Sequence, residues 1–273
     1  RVLLANLKAV KQALRTWNKE TFGNIFDRVK EDEATVLALE RSLEECPSGE
    51  GEFQLLRAQG APKMSLLREA VYWHQKARLR WLREGDANSK FFHAQVKQRR
   101  ARSFIHRMKD TNGVWTEEPS RIEEMATTFF ADILSQPGHG PMDLSMLEVI
   151  PSVITVQDNM ELQQFPTEEE VKAVVFQLDG GSSPGPDGFT GSFFTSCWDI
   201  VKGEIYRAVC DFFAGAELSW GYTATWLALI PKTPGPSSFS DFRPISLCNF
   251  VNKIMSKLLA RRLERVLPRL ISQ

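Results

Sequence analysis

Lys232 and Arg243 are the residues of this chain whose types and setting best suit chemistry on a phosphate. Each stands at the end of an extended apolar segment, Trp226–Ile230 closed by Pro231, and Phe242–Leu247. A short apolar run shut off by proline favours a buried strand over a helix. Between the two segments, Thr233–Ser240 holds Pro234, Gly235, Pro236, Ser237 and Ser238, the composition of a tight connection. Arg243 is therefore predicted to return beside Lys232. Two fixed cations suit a triphosphate, the guanidinium gripping bidentately and the ammonium acting as a mobile point charge. The plainer reading is that Lys232 caps a strand end and Arg243 pairs with Asp241.

The elements that would position this pair follow from periodicity and caps. Leu3, Leu7, Val10, Leu14 and Trp17 recur at helical spacing as a narrow seam, continued less regularly to Leu43. Cys46-Pro47-Ser48-Gly49 breaks that pattern, which predicts an antiparallel helical hairpin with a return arm from Phe53 to Glu84, interrupted at Gly60-Ala61-Pro62. Gly85-Asp86 reads as a stop, followed by a short helix over Ser89–Gln98. Asn112-Gly113 between Phe104–Met108 and Val114–Thr116 predicts a β-hairpin. Ser120–Glu123 and Thr167–Glu170 read as capping boxes, with a loop-rich connection over Gly138–Asn159 between their helices. Further helices are expected over Gly191–Ala214 and Leu247–Leu267. The fold class is mostly α with small β elements, an α+β arrangement.

At 273 residues and 42% apolar the chain can bury a core of one large or two ordinary domains. Its zero formal charge hides an uneven distribution. From Lys76 to Lys109 eleven Lys or Arg face two acids, from Asp110 to Phe250 twenty acids face six bases, and from Val251 to Gln273 six bases face Glu264. The first and last blocks suit polyanions. The basic block is interleaved with Trp73, Trp81, Phe91, Phe92 and Phe104. Exposed rings could stack on bases, but buried rings are the commoner case, which leaves Lys97, Arg99, Arg100 and Arg102 as the contact candidates. His74, His93 and His106 lack metal-ligand spacing and read as structural. Four scattered cysteines suggest neither zinc nor a disulfide framework. With no apolar run long enough for a bilayer, no membrane is expected, and a reducing nuclear or cytoplasmic setting is the default. The start at Arg1 and the ending at Gln273 suggest a piece of something longer.

In order along the chain, Ser183-Pro184-Gly185-Pro186-Asp187-Gly188-Phe189, Trp198, Leu229-Ile230-Pro231-Lys232, Asp241-Phe242-Arg243-Pro244-Ile245-Ser246-Leu247-Cys248-Asn249 and Lys253-Ile254-Met255-Ser256-Lys257-Leu258 resemble the start of a reverse transcriptase domain. The nearest group is the plant non-LTR, LINE-type retrotransposons. Upstream, Trp17-Asn18-Lys19-Glu20, Trp73-His74-Gln75-Lys76-Ala77-Arg78 and Trp81–His93 resemble the region such proteins carry between endonuclease and polymerase.

The resemblance implies a helical linker with a basic nucleic-acid face over 1–110, a connecting segment over 111–160, and an incomplete right-hand polymerase domain, fingers and first palm helices, over 161–273. It places Lys232 and Arg243 on the phosphates of an incoming nucleotide, and Pro184, Gly185, Asp187 and Gly188 beside template and primer. On residue type alone that loop is a stiff turn in which Asp187 caps its own backbone. Magnesium in the intact family polymerase is held by paired palm aspartates. No Tyr-Ala-Asp-Asp or Phe-Ala-Asp-Asp occurs here and no aspartate follows Asp241, so no cofactor is expected in this chain, and it is expected to be inactive alone. Asn252 also departs from the family's usual tyrosine. The expected partner is RNA or DNA, bound without sequence preference and with salt-dependent affinity. The alternatives are a non-catalytic protein that pairs a helix partner through residues 3–43, or a decayed element.

Overall fold

The computed structural model describes residues 2–77, 89–135 and 153–271. It is mostly helical, with two small antiparallel strand pairs among the described residues. The chain forms two compact units, Lys11–Ile105 and Arg1–Val10 with His106–Gln273. This partition differs from segments 1–110, 111–160 and 161–273, because the first turns of helix α1 (Val2–Trp17) bury Leu3 and Leu7 in the larger unit's core. That part of the apolar seam is spent on the chain's own core, while Val10, Leu14 and Trp17 stay partly exposed.

In the unit Lys11–Ile105, a π-helical turn at Asn18–Phe22 ends at Gly23, whose φ of 66° suits glycine. Asn24 then caps α2 (Ile25–Glu45), accepting the Phe26 amide at 3.1 Å. Ser48 caps α3 (Gly49–Ala58) in the same way, and α4 (Gly60–Ala77) completes the return arm, so the break expected near Gly60 is present. Asp32 pairs with Ser65, and Phe26 meets Trp73 at 5.7 Å, contacts in the order an antiparallel hairpin requires. The Trp73 indole donates to Glu69 at 3.2 Å and the ring packs 3.7 Å from His93 of α5 (Ser89–Ser103). His93 is thus a packing residue, as expected. The helix expected to stop at Gln98 runs to Ser103, since Arg99, Arg100 and Ala101 are good helix formers with no breaker among them. Trp81, Glu84 and Gly85-Asp86 lie outside the described residues.

In the larger unit, β1 (Met108–Lys109) and β2 (Trp115–Thr116) pair around the predicted Asn-Gly turn. Asp110 closes it by accepting the Asn112 and Val114 amides, both at 2.9 Å. The capping box expected at Ser120 does not form. Helix α6 (Pro119–Ser135) starts one residue earlier at Pro119, a residue suited to the first helical position, so Ser120 lies inside the first turn and donates to Glu118. Of the expected connection over Gly138–Asn159, residues 138–152 lie outside the described set and the end is helical. Thr155 and Asp158 form a complete capping box that opens α7 (Val156–Gln163).

Thr167 caps α8 (Glu168–Gln177) through the Glu170 amide at 3.1 Å, but the Glu170 carboxylate turns to Arg262 instead of closing the box. The region expected to be helical over Gly191–Ala214 divides at Cys197 into α9 (Gly191–Ser196) and α10 (Trp198–Phe213). After α11 (Trp220–Thr223), β3 (Thr225–Pro231) and β4 (Phe242–Cys248) form the second strand pair. Helix α12 (Phe250–Glu264) therefore starts three residues later than predicted, because Leu247 and Cys248 are claimed by the ladder; α13 (Leu267–Leu270) follows.

Helix α12 is the centre of this unit. Phe250, Ile254 and Leu258 are essentially fully buried against Val171, Val174 and Val175 of α8 and Ile205 and Val209 of α10, and Phe250 stacks on Phe194 at 4.8 Å. Each such side chain contributes about 1.5–3 kcal/mol by leaving water. At the other end of α12, Arg262 is 8% exposed. It meets Glu170 bidentately at 3.2 and 2.9 Å, donates to the Leu162 carbonyl at 3.1 Å and to that of Gln164, and lies 4.8 Å from the Phe213 ring centre. Arg262→Ala is expected to lower stability in urea unfolding by about 3 kcal/mol, the low end for breaking a buried pair, because Glu170 keeps some access to water.

Candidate nucleotide and nucleic-acid site

The ladder between β3 and β4 sets Ile230 opposite Arg243 and Pro231 opposite Phe242. It continues one step beyond, with the Lys232 amide donating to the Asp241 carbonyl at 2.7 Å. Directly paired residues share a face and alternate residues return to it. Arg243 therefore lies on the face of Ile230, and Lys232 stands just beyond the paired segment, opposite Asp241 of the short 3-10 turn Phe239–Asp241. The structure brings the two predicted cations together, both exposed.

Their immediate contacts divide the two plain readings. The Lys232 ammonium donates to the Ser240 carbonyl at 2.7 Å, the strand-end contact of a structural lysine, which occupies one of its three protons. Arg243 forms no ion pair with Asp241. That carboxylate is turned into its own connection, accepting the Ser237 and Ser238 amides at 2.9 and 3.0 Å. Those amide hydrogen bonds, with a lesser part from the Lys232 charge, hold the Asp241 carboxyl below its ordinary pKa.

The expectation of a buried strand is corrected. Trp226 is 64% and Ile230 49% exposed. An apolar run signals a strand without saying what covers it, and here most of the two-stranded ribbon is exposed, with Ala228 and Leu229 half-buried. The ribbon is held at its ends. Phe242 is buried beside Phe239, which meets Phe129 and Phe130 of α6 at 6.0 and 6.1 Å, and the Lys109 amide donates to Ser237.

The glycine-proline loop sits at the opposite end of the ribbon. Gly185 is buried, Pro184 and Asp187 are half-buried, and Gly188 is exposed with a φ of 85°. A Cβ on Gly185 would lie 2.4 Å from the Asn249 backbone nitrogen, so this glycine serves a close backbone approach inside the protein. Asp187 accepts the Phe189 amide at 3.0 Å, the self-capping read from its type. Of the four loop candidates, Gly188 is the exposed one.

Within the other unit, Lys97, Arg99, Arg100 and Arg102 are all exposed on the last two turns of α5, without an ion pair or hydrogen bond among the described residues. At helical spacing they surround the helix end, with like charges at i, i+3 that repel in the absence of an anion. Phe92 is buried and Trp73 and Phe91 are half-buried, as expected for core rings; Phe104 is exposed instead. In the larger unit Arg107 and Lys109 lie 4.5 and 5.2 Å from the Trp115 ring centre, which places part of the basic block on an aromatic side chain. Among the described residues no group of three His, Cys, Asp or Glu converges as a metal site, and Asp241 beside the cations is committed to amides, so the residues here do not fit magnesium.

No family profile matches the chain. It is similar to the transposon TX1 uncharacterized 149 kDa protein of Xenopus laevis, 27% identical over 196 residues. The aligned stretch is 72% of this chain and 15% of that protein. The similarity supports a retroelement-derived chain.

Sequence reading assigned no role to Asn249 and Lys253, although both stand in the motifs quoted above, and both contact the glycine-proline loop. The signal at Asn249 is a cap-forming residue type set inside the helix predicted from Leu247, and Lys253 carries no comparable signal. Gly185→Ala is expected to destabilise the protein by about 1–3 kcal/mol through overpacking. Gly203→Ala, in the middle of α10 with open space around it, is expected to stabilise by about 1 kcal/mol; thermal unfolding of the two variants checks both signs.

Proposed function

We propose that this chain is the fingers-side part of an RNA-directed DNA polymerase of a LINE-type retrotransposon, of the plant group, in which Lys232 and Arg243 hold the triphosphate of the incoming nucleotide. The observation that carries this reading is their placement as exposed cations at the same end of the ribbon. Similarity to a transposon protein of Xenopus laevis supports a retroelement origin. Phosphoryl transfer passes through a highly charged state that is stabilised by positioned cations and metal ions. The grip falls to this chain's ribbon, and the metal-binding carboxylates fall to palm segments whose motif this sequence does not contain. The loop Pro184–Gly188 would lie along template and primer, with Gly188 as its exposed point.

Triphosphate binding tests the grip. Photolabelling with an azido-purine deoxynucleoside triphosphate is expected to fall about tenfold in Arg243→Ala, the loss of a charge-assisted phosphate contact. Labelling that is indifferent to both Lys232→Ala and Arg243→Ala would remove the assignment. On a primed RNA template with magnesium no extension is expected. Product abolished by either substitution would show that the chain has polymerase chemistry of its own.

The exposed cations around the end of α5 support a second function in the same protein, sequence-independent binding of RNA or DNA backbones. Four phosphate contacts on a single strand predict a slope of about −3 in log K against log salt. Fluorescence polarisation between about 50 and 200 mM salt measures it. Replacing Lys97, Arg99, Arg100 and Arg102 by alanine is expected to flatten the slope; a wild-type affinity that ignores salt would defeat the phosphate-contact reading.

A further inference from the structure

Asn249 is 3% exposed and occupies the junction of β4 and α12, where an asparagine ordinarily caps the helix it precedes. Its side chain makes no cap hydrogen bond. Instead Nδ2 donates to the Gly221 carbonyl at 2.6 Å and Oδ1 accepts the Asp187 amide at 3.1 Å. The partners fix the orientation of the carboxamide, since a carbonyl can only accept and an amide N–H can only donate. One turn later, Lys253 donates to the Ser183 carbonyl at 2.7 Å and to the Ser182 hydroxyl at 3.3 Å.

These two residues hold the start and the middle of the loop Ser182–Phe189. The remainder is closed internally, by Gly188 N–H to the Gly185 carbonyl at 3.0 Å and by Asp187 to the Phe189 amide. Gly185 leaves no room for a shift toward Asn249, because even a Cβ would overlap its backbone. We infer that Asn249 and Lys253 are positioning residues, a two-point clasp on the first turn of α12 that holds the glycine-proline loop in the shape it presents to nucleic acid. The functional half of this statement rests on the role proposed above for the loop; the clasp itself rests on the contacts.

The chemistry selects asparagine. An ionised carboxylate would keep the acceptor for Asp187 but set a negative oxygen against the Gly221 carbonyl, whereas a protonated carboxyl would supply the missing donor. Asn249→Asp therefore carries a signature that loss of packing lacks. In a buried site facing a carbonyl the introduced carboxyl group is pushed up from the ordinary range near 4, so the clasp is broken at about pH 7 and re-forms as acid protonates it.

Hydrogen exchange on the full chain reads this directly. At about pH 7, Asn249→Asp is expected to exchange about tenfold faster than wild type over Ser182–Phe189, with α8 unchanged. The difference should shrink at about pH 5. Lys253→Met should open the beginning of the loop with no recovery in acid. Binding of a fluorescein-labelled oligouridylate should weaken in both variants, and recover in acid for Asn249→Asp alone. Unchanged loop exchange, or faster exchange spread evenly through the unit, would overturn the clasp. Faster loop exchange with wild-type RNA affinity would support the clasp and overturn the loop's nucleic-acid role.

Discussion

A guanidinium drawn out of water must find an acceptor for nearly every N–H it carries, and Arg262 finds its acceptors on segments far from it in sequence. Glu170 at the start of α8 and the carbonyls of Leu162 and Gln164 at the end of α7 all converge on it, with the Phe213 ring of α10 alongside. Coulomb attraction in such a site barely offsets the cost of desolvation, so what the contacts supply is a tie between α7, α8 and α12. Its effect is to fix the register of α12. A rigid helix of 15 residues carries that register to its other end, where Phe250 stacks on Phe194 and Asn249 meets the glycine-proline loop. Placement of loop and ribbon thus begins from one buried cation.

The ribbon shows what this scaffold does and does not supply. A two-stranded sheet is marginal by itself, and most of this one is exposed. It persists because both ends are anchored, by the phenylalanine cluster around Phe239 and Phe242 and by the β4–α12 junction at Asn249. The result is a short arm, firm at its ends, with two exposed cations near the Phe239 end. Such an arm suits a group that must touch a small anion without being buried by the protein.

Local signals were legible in the sequence and long-range ones were not. Asn112-Gly113 predicted a hairpin because only certain residues accept that turn, and Thr167 predicted a helix start because its hydroxyl has one nearby amide to satisfy. Ser120 misled because Pro119, a better first helical residue, stood just before it. Thr155–Asp158 is a complete capping box that the surrounding glycines and prolines obscured. For the site, the return of Arg243 to Lys232 was readable from the composition of the connection. The exposure of Trp226 and Ile230 was not, since periodicity reports which residues share a face and never what lies opposite. Asn249 was hidden for a related reason: its partners, Gly221 and Asp187, are 28 and 62 residues away.

Charge bears on the ribbon in a way that its net value conceals. The stretch Asp110–Phe250 is strongly acidic, which would repel a triphosphate at long range. Yet from Leu218 to Phe250 the sole acid is Asp241, against Lys232 and Arg243. Asp241 is also the carboxylate that the amides of Ser237 and Ser238 hold in its charged form, with a lesser part from Lys232. Screening limits the repulsion from distant acids to about 10 Å at moderate ionic strength, so the local balance governs what the ribbon can hold. Within the ribbon and its turn that balance is positive, two cations against one acid folded into the turn, while Asp110, Glu124 and Asp132 of neighbouring segments gather with Lys109 and Arg121 around Ser238 and Phe239.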